Sequence, residues 1–323
     1  MSGLRPPPKE DTPSRAFGRF VFLVFLLVLL GAVIWAAVVQ QRIPLVEIQT
    51  LDQVEGRVVL TVDELDLNIV EQGSGATTVV LLHDAEITGS PVFTDIVAAL
   101  GPEVATLGID LPGFGLSTRL PGADPRHTVA DMARTMTTVI EGRVGAPVIL
   151  VGVGLGGEVA AEVAVTRPDL VAGLVMVDVD FYGRSTWVQR LERIPWFGTA
   201  ITHAFEASGS FSDSTFAPYC DVGGWCPDAT ILSQRGLTTS IVATTDSLNG
   251  FAVTDPASDV PSRLGVITAS TVYVWSQNGA VPENSVDRVI AAVPGITLER
   301  IDAYQAHLDE PDVVAGLIQA MIP

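Results

Sequence analysis

One stretch, Val148-Ile-Leu-Val-Gly-Val-Gly-Leu-Gly-Gly157, constrains this chain more than any other. An unbroken apolar run is followed at once by glycines, then by a helix-compatible run from Glu158 to Arg167. A second apolar run ends in Val177-Asp178-Val179-Asp180. Short apolar runs without a polar alternation read as buried strands. The glycines between strand and helix mark a turn too tight for ordinary side chains. The segment therefore reads as a strand, a tight turn, a helix and a second strand.

Two motifs compete for these glycines. Gly152, Gly154 and Gly157 satisfy Gly-x-Gly-x-x-Gly, with Asp178 and Asp180 about where a dinucleotide-binding fold places its ribose-binding carboxylate. Gly152-Val153-Gly154-Leu155-Gly156 also resembles the nucleophile elbow Gly-x-Ser-x-Gly of α/β-hydrolases. The rest of the chain extends the second resemblance. Thr78-Val-Val-Leu-Leu-His83-Asp84 resembles the strand and His-Gly turn that precede the oxyanion hole. Ala105 to Ser117 contains Asp110-Leu-Pro-Gly113-Phe-Gly115-Leu-Ser117, similar to the family's Asp-x-Pro-Gly-x-Gly-x-Ser segment. Thr271 to Trp275 and Ile296 to Ile301 read as further strands. His307 follows, then the helical run Asp312 to Met321. The resemblance covers residue 55 or so to the C-terminus. It implies an α/β-hydrolase fold: a mostly parallel sheet with helices on both faces and a cap inserted at about 181–265, within a domain spanning 51–323.

The same resemblance shows what is missing. The family's chemistry needs a nucleophile, a histidine base, an orienting carboxylate and backbone donors for an oxyanion. The nucleophile position is Gly154, which has no side chain to attack with. The acid position falls on Gly279, in Ser276-Gln-Asn-Gly279-Ala-Val-Pro282. His307 stands at the base position, either vestigial or paired with Asp180 as an alternative acid from the strand after the elbow helix. Where the family has glycine after His83, this chain has Asp84, which either points into the pocket against a developing oxyanion or caps a turn toward solvent. His83, Asp84 and Leu155 are the expected ligand-binding positions. These losses imply a catalytically degenerate member with a ligand-binding or partner-binding role. The alternative is an active hydrolase or lyase-like enzyme using His307.

Residues 20–39 form an apolar run long enough to span a bilayer as a helix. Arg5, Lys9, Arg15 and Arg19 precede it, so the positive-inside rule places residues 1–19 in the cytoplasm as a disordered tail. Residues 40–50 read as a stalk, and the remaining domain is expected outside the cytoplasm, held to the cell membrane by a single pass. A net charge of −19 excludes nucleic acid as a partner class. In that compartment Cys220 and Cys226 are expected to form a small-loop disulfide. No metal or other cofactor is expected, since no histidine lies near the cysteines. The cap aromatics, including Phe181, Tyr182, Trp187, Trp196, Phe197 and Trp225, either pack the lid or line a pocket for an apolar small molecule. An envelope protein is the other partner considered.

Overall fold

The computed structural model describes residues 15–183, 187–194, 196–204, 229–254 and 258–323. Its centre is an eight-stranded sheet in the order β1-β2-β4-β3-β5-β6-β7-β8. These strands are Val59–Val62, Leu65–Gln72, Thr78–Leu82, Ala105–Ile109, Val148–Val153, Val171–Val177, Ser270–Ser276 and Thr297–Ile301. β1 and β2 run antiparallel to their neighbours, and β3 to β8 are parallel. All six residues of β5 are buried, as a strand covered by helices on both faces requires. β1 alternates weakly at the sheet edge, where one face meets water.

Two apolar layers flank the sheet. One gathers Leu82, Ile109, Met132, Met136, Leu150, Val159 and Met176, and the other gathers Val79, Phe93, Ile96, Val151, Val175 and Ile318. Neighbouring residues of β5, such as Leu150 and Val151, go to opposite layers because side chains alternate along a strand. The helix Leu155–Thr166 follows the glycine turn as the sequence predicts. Its glycines are explained by close packing. A Cβ on Gly156 would lie 2.2 Å from the Leu82 carbonyl oxygen, and one on Gly157 would lie 2.1 Å from Val179. Helix and sheet approach so closely that only glycine fits. Nothing in the arrangement asks for a phosphate to account for the fingerprint.

Between β6 and β7 the described cap helices are Trp187–Glu192, Phe197–Thr202, Ala229–Ser240, Thr244–Thr254 and Val260–Arg263. Cys220, Cys226, Trp187's side chain and Trp225 lie outside the described residues. At the other end of the chain, the helix Arg15–Val46 continues past the apolar run. Residues 40–50 are not a free stalk. Glu47 is 9% exposed, Ile48 and Gln49 donate to the Ser240 carbonyl, and Gln49 bridges to Ile241. The segment docks because Glu47 satisfies two amides at the start of the helix Thr244–Thr254. Its carboxylate accepts from Ala243 N at 2.8 Å and Thr245 N at 2.7 Å.

Candidate functional site

The site lies where β3, β5 and β6 end. β5 passes into its helix through Gly154, whose φ of +49 and ψ of −118 lie in a region that side-chain-bearing residues rarely adopt. The turn that presents a nucleophile is therefore built, with nothing mounted on it. Its place is filled from the turn after β3. A Cβ on Gly154 would fall 2.1 Å from Asp84 Oδ1 and 2.2 Å from its Cγ. The Asp84 carboxylate occupies the volume that a side chain at 154 would need.

The hydrogen bonds of that carboxylate are as informative as its position. Asp84 Oδ1 accepts from Leu155 N at 2.7 Å and from Ala85 N at 2.7 Å. In this architecture an oxyanion is held by the amide after the nucleophile together with one from the β3 turn. Leu155 N and Ala85 N are those donors, and here they hold the chain's own carboxylate. Asp84 nonetheless remains open to solvent on its outer side. Asp84 thus points at the elbow and caps its amides while the residue stays exposed, sharing a feature with each of the two orientations expected of it.

His83 positions the Asp84 turn. Its ring is fully buried, and its Nε2 accepts from Leu111 N at 2.9 Å, so the proton resides on Nδ1 and is donated to the Asp84 carbonyl at 2.6 Å. Burial holds its pKa below the ordinary imidazole value. Expected among ligand-binding residues, His83 instead commits both nitrogens to main chain. Asp110 secures the adjoining loop. Its carboxylate accepts from Ser90 N, Asn68 Nδ2 and Leu116 N, and a Cβ on Gly115 would lie 2.3 Å from it. The Asp-x-Pro-Gly-x-Gly-x-Ser resemblance thus marks a structural knot beside the site.

His307 opens the short helix Ala306–Asp309, 5% exposed. Its Nδ1 is buried without a hydrogen-bond partner, and burial lowers its pKa to about 4, so the ring is neutral. The family's acid position, Gly279, supplies it no carboxylate. Gly279 closes a turn onto the Ser276 carbonyl, and a Cβ there would lie 2.7 Å from the Tyr304 oxygen. No carboxylate fits at 279 without a shift of the chain.

Asp180, the alternative acid, folds back on its own turn, accepting from Tyr182 N at 3.1 Å, and makes no bond to His307. Asp178 is the carboxylate tied to the histidine loop. It sits at φ +50, takes Ser276 N at 2.8 Å and Ser276 Oγ at 2.5 Å, and that same Oγ accepts from Ala306 N. Reasoning from sequence preferred Asp180; the two aspartates alternate in Val177-Asp-Val-Asp180, and no local signal distinguishes them.

The electrostatics of the site are one-sided. Burial raises Glu158 and Glu86 to about 8 and Asp178 to about 6, and the charge of Asp84 adds to each shift. Among the described residues no group of three or more His, Cys, Asp or Glu side chains is placed to hold a metal.

Sheet order, crossover helices and a glycine elbow under a cap define an α/β protein of hydrolase type. The chain belongs to the α/β hydrolase family, whose profile it matches over residues 79–317. It is similar to a 2-hydroxy-6-oxononadienedioate/2-hydroxy-6-oxononatrienedioate hydrolase of Cupriavidus pinatubonensis, 25% identical over 72% of this chain and 81% of that one. It also resembles a 2-(acetamidomethylene)succinate hydrolase of Mesorhizobium japonicum, 29% identical over 41% of this chain; there it spans only 45% of the relative's length. Among solved structures, an enol-lactonase from Burkholderia xenovorans superposes with a TM-score of 0.65 at 15% identity, covering 82% of this chain and 99% of that one. At that identity the likeness is one of fold.

Proposed function

We propose that this is a membrane-anchored member of the family that has given up serine acyl transfer and acts by binding a ligand or an envelope partner. One observation carries this reading: the Asp84 carboxylate sits on the Leu155 and Ala85 amides in the space of the missing nucleophile. Three further features support it. Gly154 offers no attacking atom, Gly279 offers no acid, and the His307 Nδ1 is unpartnered. With its amide donors already engaged, the site favours a neutral or hydrogen-bond-donating group beside Asp84 over an anionic one. The N-terminal apolar helix, whose most apolar 18-residue stretch has a mean hydropathy of 3.0, supports anchoring, and the basic residues before it support placing the domain outside the cytoplasm.

The test is a serine-directed fluorophosphonate and a short-chain activated ester applied to the purified full chain. Neither labelling nor saturable turnover is expected. Turnover that disappears in a His307→Ala variant would overturn the reading.

The alternative of an active hydrolase or lyase-like enzyme has one observation in its favour. Asp84 is held through Oδ1 alone, while Oδ2 accepts no hydrogen bond from the described residues and the residue is exposed. Attack of Oδ2 on the carbon of an alkyl electrophile would form an ester as the bond from that carbon to its leaving group breaks and the leaving group departs as an anion. Peptide mass spectrometry after exposure to such electrophiles distinguishes the two: an ester on Asp84 supports the enzyme, and an unmodified Asp84 the binding protein.

A further inference from the structure

Resting on the anchoring proposed above, we infer that the cap is sunk into the extracytoplasmic leaflet of the bilayer, with the turn between helices Trp187–Glu192 and Phe197–Thr202 as its lipid-facing surface. The argument begins with which residues of the N-terminal helix meet protein. Ala36 and Glu47 are buried and Ala32, Ala37, Val39, Gln40 and Ile43 partly buried, while Val33, Ile34, Val38 and Leu45 between them are exposed. Spacings of three and four residues put the withdrawn set on one helical face. That face packs on the cap. The Trp35 ring lies 5.9 Å from that of Phe197, Ala36 is fully buried, and Gln40 Nε2 donates to the Trp196 carbonyl.

Length then decides where this contact sits. The run available to cross the membrane begins after Arg19 and ends at Val39. At helical rise its 20 residues reach about 30 Å, the thickness of a hydrocarbon core, with nothing to spare. If the membrane ended where protein contact begins, Phe20 to Gly31 would supply only about 18 Å. Stopping just before Trp35 would supply about 22 Å. Either is well short of a bilayer core, so the helix between Ala32 and Val39 is within the membrane while it touches the cap. What packs beside it there is at the same depth.

The cap surface at this level suits lipid. Trp196 is 51% exposed and Ile194 44% exposed, an indole and an aliphatic chain presented outward. Tryptophan favours the boundary between headgroups and acyl chains. Arg190 and Arg193 are exposed next to them, and Arg42 is exposed on the N-terminal helix one turn above the apolar run. In a chain with 18 basic against 37 acidic side chains, this local run of arginines matches the charge of anionic headgroups. An acidic domain is thereby held against the membrane through a basic and apolar edge.

The experiment reconstitutes the unaltered full chain in vesicles of phosphatidylcholine with a minor share of phosphatidylglycerol and a trace of phosphatidylcholine carrying a mid-chain diazirine. After illumination, adducts are mapped by peptide mass spectrometry. Insertion predicts adducts along residues 20–34 and at Ile194 and Trp196, the latter several-fold above those at Val266 and Val313, exposed apolar residues elsewhere on the domain. Adducts on the N-terminal helix with Ile194 and Trp196 no higher than those controls would overturn the inference and leave anchoring intact. Adducts on neither would overturn the anchoring itself.

Discussion

Asp84 and Gly154 depend on each other. The carboxylate reaches the Leu155 amide only because residue 154 has no Cβ, and the turn at φ +49 is relaxed only because that residue is glycine. Gly154→Ala should cost about 1–3 kcal/mol from backbone strain alone, plus the clash with Asp84. In Asp84→Gly the clash is gone, so the two changes together should destabilise less than the sum of each alone. A double-mutant cycle by urea denaturation measures this coupling; additive effects would mean that the carboxylate does not occupy that space in solution. The raised carboxyl groups make a second prediction. About a unit above the ordinary histidine value of 6.5, His307 and the other three histidines are neutral both folded and unfolded. Glu158 then keeps its proton when folded, up to about 8, and has lost it when unfolded, above 4.5. Stability should therefore fall as pH rises from about 7.5 through about 8. Glu158→Gln should flatten that slope, and an unchanged slope would show that Glu158 titrates normally. Glu86 contributes in the same direction.

Two side chains join the elements around the site. Glu47, at the end of the N-terminal helix, caps the helix Thr244–Thr254 through both carboxylate oxygens. Arg119 donates to the Phe114, Ser117 and Gly115 carbonyls and to Thr244 Oγ1, tying the loop after β4 to that same helix. Burial lowers its pKa to about 10, leaving it charged at neutral pH. Glu47→Ala should lower stability by about 1 kcal/mol, as loss of a helix cap does. It should also speed amide exchange at Ala243 and Thr245 ahead of exchange in β5; uniform acceleration would mean that the contact belongs to global folding instead. The cap is thus held from two sides, by the loop beside the site and by the segment leaving the proposed anchor.

For the whole molecule, the proposed topology is testable on intact cells. Protease added outside should remove the domain and leave a small membrane-bound fragment containing the N-terminal helix; a protected full-length chain would reverse the orientation. In the same preparation, non-reduced peptide mapping should find Cys220 linked to Cys226, as an oxidising compartment implies. Two freely alkylated thiols would contradict that location.

The fold was legible in the chain because its signals are local and strong. Strands buried on both faces must be continuously apolar, and a tight strand-to-helix turn must be glycine-rich, so Val148 to Val177 declares a parallel unit before any contact is known. The glycine at position 154 and the 20-residue apolar run were equally plain, since a residue's identity and a length can be read by position. Three things required the tertiary structure. The direction of Asp84 depends on Gly154 and Leu155, about 70 residues further along. The choice between Asp178 and Asp180 depends on Ser276, a residue of the neighbouring strand. The residues expected to form a stalk became a docked segment because Glu47 found unpaired amides at Ala243 and Thr245. In each case a short polar side chain has several satisfactory local conformations, and only a partner brought in by the fold selects among them.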